Sequence, residues 1–193
     1  IYGEGYIFDK LGDYTFKISP LSFYQINPIQ TEKLYNLALE KAELTGNEIL
    51  FDLYCGIGTI GIFMAKKAKE VYGIEIVNEA IEDAKENCRI NNITNAKYYA
   101  GDTEKLLTDL IENKNIIPDI VVVDPPRKGL DKTTIENIKK INAKKVIYIS
   151  CNPATLIRDI SYLEDKYIVK EIQPVDMFPF TSHVENVAVL ELR

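Results

Sequence analysis

The sequence predicts an α/β fold in which helices cover both faces of a mostly parallel β-sheet. Short apolar runs, rich in β-branched and aromatic residues, alternate with longer segments whose apolar residues recur at helical spacing. A glycine-rich turn follows the first run of this alternation, as in nucleotide-binding α/β folds. The last two predicted strands have no helix between them, so we expect that pair to be antiparallel.

The N-terminal segment precedes this alternation. Apolar and aromatic residues alternate weakly over residues 1–19 around Gly12, which predicts a β-hairpin. Residues 22–28 are predicted to form a loop. Apolar residues at helical spacing then predict a helix that ends near Leu44, just before Gly46.

The remaining elements alternate along the chain. Strands are predicted at residues 48–53, 70–75, 96–100, 119–123, 144–150, 167–175 and 185–192. Helices are predicted between them at residues 59–67, 78–91, 103–113, 132–141 and 154–165.

The length of 193 residues suits a single domain with a substantial core. Because the first residue is Ile1 and a hairpin is already under way, we expect a further N-terminal part to precede this chain. We therefore predict a hairpin and linker at residues 1–24, the remnant of a preceding domain, and one domain at residues 25–193.

Composition narrows the class of protein. Hydrophobic residues make up 46% of the chain and charged residues 27%, as in ordinary globular proteins. No apolar run approaches the roughly 20 residues of a membrane helix, and no signal peptide opens the sequence. The three cysteines lack the spacing of a disulfide framework or a metal site, so we expect a cytoplasmic protein without a metal. The net charge of −6 argues against strong nucleic-acid binding by this chain alone.

The glycine-rich turn carries Gly56 and Gly58 at the spacing of a nucleotide-binding loop. Glu75 ends the next strand, where a carboxylate can accept hydrogen bonds from both ribose hydroxyls. Nicotinamide dinucleotides and S-adenosylmethionine both fit this pattern, and a turn that only packs a helix on a strand is the structural alternative. Asp52 and Asp102, at the ends of the first and third strands of the alternation, favour S-adenosylmethionine.

Two further loops leave the carboxyl ends of predicted strands. In Asp124–Gly129, two prolines follow an acid, and such a stiff loop can hold Asp124 against a planar substrate or the donor's amino group. Taken by itself, the segment Asp124–Gly129 also fits a proline turn at the edge of the sheet that has no functional role. Cys151 follows the next strand, where open α/β sheets gather their ligands, and is a candidate nucleophile. Asn152 and the following helix start would help to stabilise its thiolate, whereas Cys55 and Cys88 are interpreted as packing residues.

The last candidate segment contains His183 and Glu185. Two residues apart on an extended segment, they are expected to face the same side. His183 suits either a general base or a positioning role. Glu185 enters an apolar strand, a costly place for a carboxylate without a partner or a chemical task, and it is a candidate proton acceptor.

Together these motifs resemble the RNA uracil-C5 methyltransferases, which make 5-methyluridine in tRNA and ribosomal RNA. The segments that carry the resemblance are Ser22–Asn27, Asp52–Gly58, Asp124–Gly129, Ser150–Pro153 and Phe178–Glu185. The resemblance implies a Rossmann-like class I S-adenosylmethionine-dependent methyltransferase fold, in which residues 25–193 form the catalytic domain. Its seven-stranded sheet is mostly parallel, with an antiparallel last strand.

The resemblance also assigns roles. It implies that Cys151 adds to C6 of a uracil and that Glu185 removes the C5 proton after methyl transfer, which converts S-adenosylmethionine to S-adenosylhomocysteine. The residues implied or expected to bind the donor are Gln25, Tyr54, Gly56, Gly58, Thr59, Glu75, Asp102 and Asp124; many family members carry Asn at the position of Thr59. A base in folded RNA has to be turned out of its stack to react, and the expected substrate contacts are Asp124, Arg127, Phe180 and His183.

Full-length family members carry N-terminal RNA-binding modules, and we expect an iron–sulfur cluster only in such a preceding part. The segment Gln173–Pro179 looks closer to the ribosomal RNA branch, so we expect 23S ribosomal RNA as substrate and a monomeric protein. Two alternatives stay open. One is methylation of cytosine C5 or an exocyclic nitrogen, and the other is a nicotinamide-dependent oxidoreductase.

Overall fold

A computed structural model describes residues 5–193 of the chain. The first four residues of the predicted hairpin segment therefore lie outside the described residues. The described chain forms a seven-stranded sheet, helices on both of its faces, and a separate two-stranded hairpin. The predicted α/β class is confirmed.

The elements follow the predicted order, and their ends differ from the predicted ends by at most two residues outside the fourth helix. The strands are β1 (Ile7–Leu11), β2 (Tyr14–Ile18), β3 (Ile49–Leu53), β4 (Glu70–Glu75), β5 (Ala96–Ala100), β6 (Ile120–Val123), β7 (Lys145–Ser150), β8 (Tyr167–Val175) and β9 (Glu185–Leu192). The helices are α1 (Pro28–Ala42), α2 (Thr59–Ala65), α3 (Asn78–Ile90), α4 (Thr103–Thr108), α5 (Lys132–Ile141) and α6 (Pro153–Leu163). The predicted fourth helix is divided, because a π-helical turn at Asp109–Asn113 continues α4.

The strand order in the sheet is β5-β4-β3-β6-β7-β9-β8. Strands β3 to β7 are parallel to one another, whereas β9 is antiparallel to both β7 and β8. The predicted antiparallel last strand is therefore confirmed. This reversal brings the amino end of β9 to the edge where the parallel strands end, and it pairs Asn186 with Ser150.

Hydrophobic side chains pack in two layers, one on each face of the sheet. The hairpin and helices α1 to α3 cover one face with buried residues such as Phe16, Leu34 and Ile81. Helices α4 to α6 cover the other face, where Ile138 and Leu163 are buried. Because the hairpin contributes to the same core as the sheet, its position relative to the site is fixed by packing.

Side-chain caps fix where the helices start along the edge of the sheet. Asp102, Asp131 and Asn152 each accept a hydrogen bond from a backbone N–H in the first turn of α4, α5 and α6, respectively. Pro153 then occupies the first turn of α6, where its missing N–H has no cost. The chain is thereby held on both sides of Cys151.

Candidate active site

The candidate site lies at the sheet edge where β3 to β7 end and β9 begins. A cleft opens there between the segment that precedes α1 and the glycine loop that precedes α2. Its lining residues are Phe23, Tyr24, Gln25, Tyr35, Tyr54, Cys55, Gly56, Ile57, Thr59, Ile60 and Asp124. The structure thus brings together five of the predicted donor-binding residues, namely Gln25, Tyr54, Gly56, Thr59 and Asp124.

The glycine loop has the backbone that the sequence predicts. Gly56 and Gly58 adopt φ angles of 53° and 79°, in the left-handed region that favours glycine. The N–H of Gly56 donates to one carboxylate oxygen of Glu75 (3.2 Å), and the N–H of Val77 donates to the other (3.0 Å). Glu75, which is partly exposed at the end of β4, therefore ties the glycine loop to the start of α3.

Asp52 lies underneath the glycine loop rather than in the cleft. Its Oδ2 accepts a hydrogen bond from the N–H of Gly61 (2.8 Å), while its buried Oδ1 has no hydrogen-bond partner. Burial raises the pKa of Asp52 to about 7, with a further contribution from Glu75. Asp52 thus anchors helix α2 and places a carboxyl group directly below the cleft.

Tyr54 and Thr59 hold the two ends of the glycine loop. Tyr54 has φ 64°, a conformation that costs a non-glycine residue energy. Its hydroxyl donates to Asp131 (3.3 Å), which caps α5. The Thr59 hydroxyl is 3.2 Å from that of Tyr35 on α1. Asp102, also predicted to bind the donor, is exposed further along the edge, where it caps α4.

Cys151 and Glu185 meet where β7 ends and β9 begins. Ser150 pairs with Asn186 in the antiparallel ladder. Cys151, which follows Ser150, is therefore set beside Glu185, which precedes Asn186. Cys151 is partly exposed, so its sulfur is not sealed in the core. Glu185 is only 5% exposed, and burial raises its pKa, an effect that the nearby Arg127 opposes.

The surroundings of Cys151 raise the pKa of its thiol on balance, and the expected help for the thiolate from Asn152 and the start of α6 stays a prediction. Burial raises the pKa of Cys151, the carboxyl groups of Glu185 and Asp124 raise it further, and Arg127 opposes them. The Asn152 side chain is used elsewhere: its oxygen accepts from the N–H of Ala154 and its amide donates to a loop carbonyl. These surroundings therefore favour the neutral thiol over the thiolate.

Asp124 faces the cleft from the end of β6. Burial raises its pKa to about 8, and the carboxyl groups of Glu185 and Asp52 raise it too. The loop that follows is fastened to α6, because the Arg127 carbonyl accepts hydrogen bonds from Asn152 (3.2 Å) and from the Thr155 hydroxyl (3.3 Å). The predicted stiff loop therefore joins the Cys151 loop as one unit.

The other predicted substrate contacts lie outside the cleft. Arg127 and Phe180 are exposed, and Phe180 has a left-handed φ of 69°. His183 is also exposed and lies between the bend at residues 181–182 and the start of β9, whereas Glu185 is buried in that strand. The expectation that these two side chains share one face stays a prediction, since strand pairing begins only at Glu185.

Three aromatic residues of the cleft have no role predicted from the sequence. Phe23 and Tyr24 lie in the segment Ser22–Asn27, which carries the family resemblance, but the sequence predicts no contact of either with the donor. Tyr35 follows Leu34 on the buried face of α1, so its spacing matches an ordinary core position. Only its hydroxyl contact with Thr59 marks it as part of the site, and that contact has no signal in the sequence.

Comparison with known proteins identifies the family. The model of the tRNA (uracil-5-)-methyltransferase family matches residues 7–193. The chain belongs to this family. RNA methyltransferases of Halalkalibacterium halodurans and Staphylococcus aureus are each 53% identical to it, over 194 and 193 residues, which cover 100% of this chain and 42% of those proteins. The chain thus spans less than half the length of these relatives.

Solved structures show the same relationship. The Pyrococcus abyssi tRNA (uracil-54, C5)-methyltransferase, solved with S-adenosyl-L-homocysteine, matches with a TM-score of 0.81 and 35% identity, over 98% of this chain and 45% of that one. The Methanocaldococcus jannaschii tRNA m1G37 methyltransferase matches in fold alone, with a TM-score of 0.73 and 15% identity, over 100% of this chain and 58% of that one. The predicted class I methyltransferase fold is confirmed.

Within residues 5–193, no helix combines the length and apolar character needed to cross a membrane. Over the same part of the chain, no group of three or more histidine, cysteine and acidic side chains is arranged to hold a metal ion.

Proposed function

We propose that this domain transfers a methyl group from S-adenosylmethionine to C5 of a uridine in RNA. The observation that carries the proposal is the strand pairing that sets Cys151 beside Glu185, next to a cleft with the features of a donor site. Membership of the uracil-5-methyltransferase family supports the same reaction. So does the S-adenosylhomocysteine bound by the Pyrococcus relative.

The cleft suits a cationic methyl donor. Asp52 and Asp124 lie below and beside it with raised pKa values, so a positively charged ligand would be attracted and would stabilise their ionised forms. We propose that Gln25, Tyr54 and Thr59 contact the donor directly. Glu75 would accept hydrogen bonds from the ribose hydroxyls, and Gly58 and Asp102 would complete the site along the sheet edge.

The proposed chemistry follows from the weak nucleophilicity of uracil C5. The Cys151 thiolate adds to C6 and creates an enolate, whose C5 attacks the methyl group and releases S-adenosylhomocysteine. Glu185 then accepts the C5 proton, and expulsion of the thiolate restores the double bond. Because the surroundings raise the pKa of the free thiol, we propose that it ionises when the cationic donor and the substrate are bound.

The exposed residues around Cys151 suit an RNA substrate. A uridine has to leave its stack to reach Cys151. We propose that Arg127, Phe180 and His183 contact the flipped nucleotide or its neighbours at the entrance. All three are exposed, and the charge of Arg127 acts on both Cys151 and Glu185. Asp124 would face the base on one side and the donor on the other.

The first test replaces the nucleophile. In the full-length protein, Cys151→Ala is expected to abolish methyl transfer to RNA while S-adenosylhomocysteine still binds, because Cys151 does not line the donor cleft. Transfer of labelled methyl groups and calorimetric binding measure the two properties separately. Cys88→Ala is the matched control for removal of a thiol. Full activity in Cys151→Ala would refute the covalent mechanism.

The second test replaces the base. Glu185→Gln is expected to permit methylation but to slow loss of the C5 proton, so the RNA stays attached to Cys151. The adduct would appear as a slowly migrating band after denaturing electrophoresis. It should be absent from the double variant Cys151→Ala, Glu185→Gln. Prompt release of methylated RNA by Glu185→Gln would rule out this role for Glu185.

The third test concerns the RNA. The segment Gln173–Pro179 favours 23S ribosomal RNA, whereas the Pyrococcus relative is named for tRNA. Mass spectrometry of nucleosides from both RNAs, in cells with and without the gene, is expected to show loss of 5-methyluridine from the 23S fraction. Loss from tRNA instead would correct the substrate, and loss of 5-methylcytidine or an N-methylated base would correct the target atom.

A further inference from the structure

Helix α3 carries a row of polar side chains on the face that it packs against the protein. Asp83, Asn87 and Asn91 are spaced four residues apart, so they lie on one side of the helix. Asp83 and Asn87 are only 2% and 0% exposed, although polar residues ordinarily occupy the solvent face of such a helix. Their burial requires partners.

The partner is the edge of strand β2 that faces away from β1. The Asn91 side chain accepts a hydrogen bond from the N–H of Thr15 (2.9 Å) and donates one to the carbonyl of Thr15 (2.7 Å). The Asn87 side chain accepts a hydrogen bond from the N–H of Lys17 (2.6 Å) and donates one to the carbonyl of Lys17 (3.2 Å). Four helical residues advance about 6 Å and two strand residues about 6.7 Å. The side-chain amides therefore match the spacing of the strand and take the place of a neighbouring strand.

Asp83 continues this row beyond β2. Its carboxylate accepts hydrogen bonds from the backbone N–H of Ser19 (2.9 Å) and from the hydroxyls of Ser19 (2.9 Å) and Ser22 (3.1 Å). It also forms an ion pair with Lys17 (3.1 Å). The segment that leads from β2 to Gln25 in the cleft is thus attached to α3 at successive points.

Asn87 makes one contact that its neighbours in the row do not. Its amide also donates to the carbonyl of Ile57 in the glycine loop, at 3.2 Å and fully buried. Ile57 lines the cleft on the side opposite the segment that contains Gln25. A single carboxamide therefore joins the backbone of β2 to the backbone of the glycine loop. Its oxygen and both N–H groups are in use.

We propose that Asn87 is a positioning residue of the methyl-donor site, which holds the two walls of the cleft at a fixed separation. Without the carboxamide, the buried carbonyl of Ile57 loses its partner and the glycine loop relaxes toward other geometries. The proposal rests on the donor-binding part of the proposed function and is independent of the base that is methylated.

Asn91 provides a matched control. Asn87→Ala and Asn91→Ala each remove a pair of hydrogen bonds to β2, but only Asn87→Ala frees the glycine loop. Calorimetry on the full-length protein, at a temperature where each variant is folded by circular dichroism, is expected to give at least a tenfold weaker Kd for S-adenosylhomocysteine in Asn87→Ala. In Asn91→Ala the Kd is expected to change less than twofold. A purely structural role would weaken the Kd by a similar factor in both variants. Equal changes in Kd would therefore overturn the proposal.

A second measurement uses the unaltered protein, in case Asn87→Ala does not fold. Binding of S-adenosylhomocysteine is expected to slow hydrogen exchange of the Lys17 amide, which Asn87 holds, more than that of the Thr15 amide, which Asn91 holds. Equal or absent slowing at both amides would overturn the proposal. Failure of the unaltered protein to bind S-adenosylhomocysteine would overturn donor binding itself, and with it the proposed function.

Discussion

Two neighbouring carboxyl groups act on Asp124 in the candidate site. The pKa of Asp124 is raised to about 8, mainly by burial and then by the charges of Glu185 and Asp52, so ionisation of either neighbour opposes ionisation of Asp124. A pKa of this size favours the neutral form of the Asp124 carboxyl near pH 7. A positively charged donor would release this proton, which couples donor binding to proton loss.

The raised pKa of Asp124 predicts that it contributes a pH dependence to donor binding. Because this pKa is about 8 in the free protein, the carboxyl has to lose a proton at lower pH if it pairs with the donor as proposed. Affinity for S-adenosylmethionine is expected to rise by up to about tenfold per pH unit between pH 6 and 8, and to level off above pH 8. Calorimetric titrations across that range measure it.

Asp124→Asn is the control for this prediction. The amide cannot ionise, so the part of the pH dependence that comes from Asp124 is expected to disappear. Titration of the donor's own amino group is common to both proteins and cancels in the comparison. An identical pH profile in the two proteins would show that Asp124 is not the titrating group.

At the scale of elements, Tyr98 on β5 locks the glycine loop onto the sheet. Its ring fills the space left by three glycines. A Cβ at Gly73 in β4, at Gly61 in α2 or at Gly58 just before α2 would overlap the ring. Its hydroxyl donates to the Gly58 carbonyl (3.3 Å). Gly73 is thus a glycine because a neighbouring ring occupies the position of its missing side chain.

Gly73→Ala is therefore expected to destabilise the protein by about 1–3 kcal/mol, the range for overpacking a dense core. Chemical denaturation gives the free energy of unfolding. In a Tyr98→Ala background the ring is absent, so the added methyl group should cost much less. An equal cost in both backgrounds would mean that Tyr98 is not the cause.

The sequence predicts the helices and strands well because the spacing of apolar residues in each segment is typical of one kind of element. It identifies Cys151, Glu185 and Asp124 as candidates because they follow or open strands at one edge. It cannot predict that Asn87 bonds to Ile57, since thirty residues and two elements separate them. Nor does it predict the raised pKa of Cys151, which depends on carboxyl groups brought together only by folding.

At the scale of the whole molecule, buried acids make the stability depend on pH. The folded pKa of Asp52 is about 7, well above that of an unfolded aspartate. The folded state therefore binds the proton more tightly than the unfolded state. This contribution to stability is complete below about pH 4 and is lost as pH rises through 7.

The free energy of unfolding is accordingly expected to fall between pH 5 and 8, by about 1.4 kcal/mol per pH unit for Asp52 while it remains protonated. Asp52→Asn should remove the share of this fall that comes from Asp52, leave the share that comes from Asp124, and keep an acceptor for the Gly61 N–H. Urea unfolding at a series of pH values measures both proteins. A constant free energy from pH 5 to 8 in the unaltered protein would contradict the raised pKa.

The reversed strand β9, which carries Glu185 to the proposed catalytic Cys151, also limits how such proteins can diverge. Side chains alternate between the two faces of a strand, so displacing β9 by one position along β7 would send Glu185 to the opposite side of the sheet. Insertions and deletions should therefore accumulate in the exposed stretch between β8 and β9. Inside β9, a single added or deleted residue would separate the carboxyl group of Glu185 from the thiol of Cys151 even if the domain still folded.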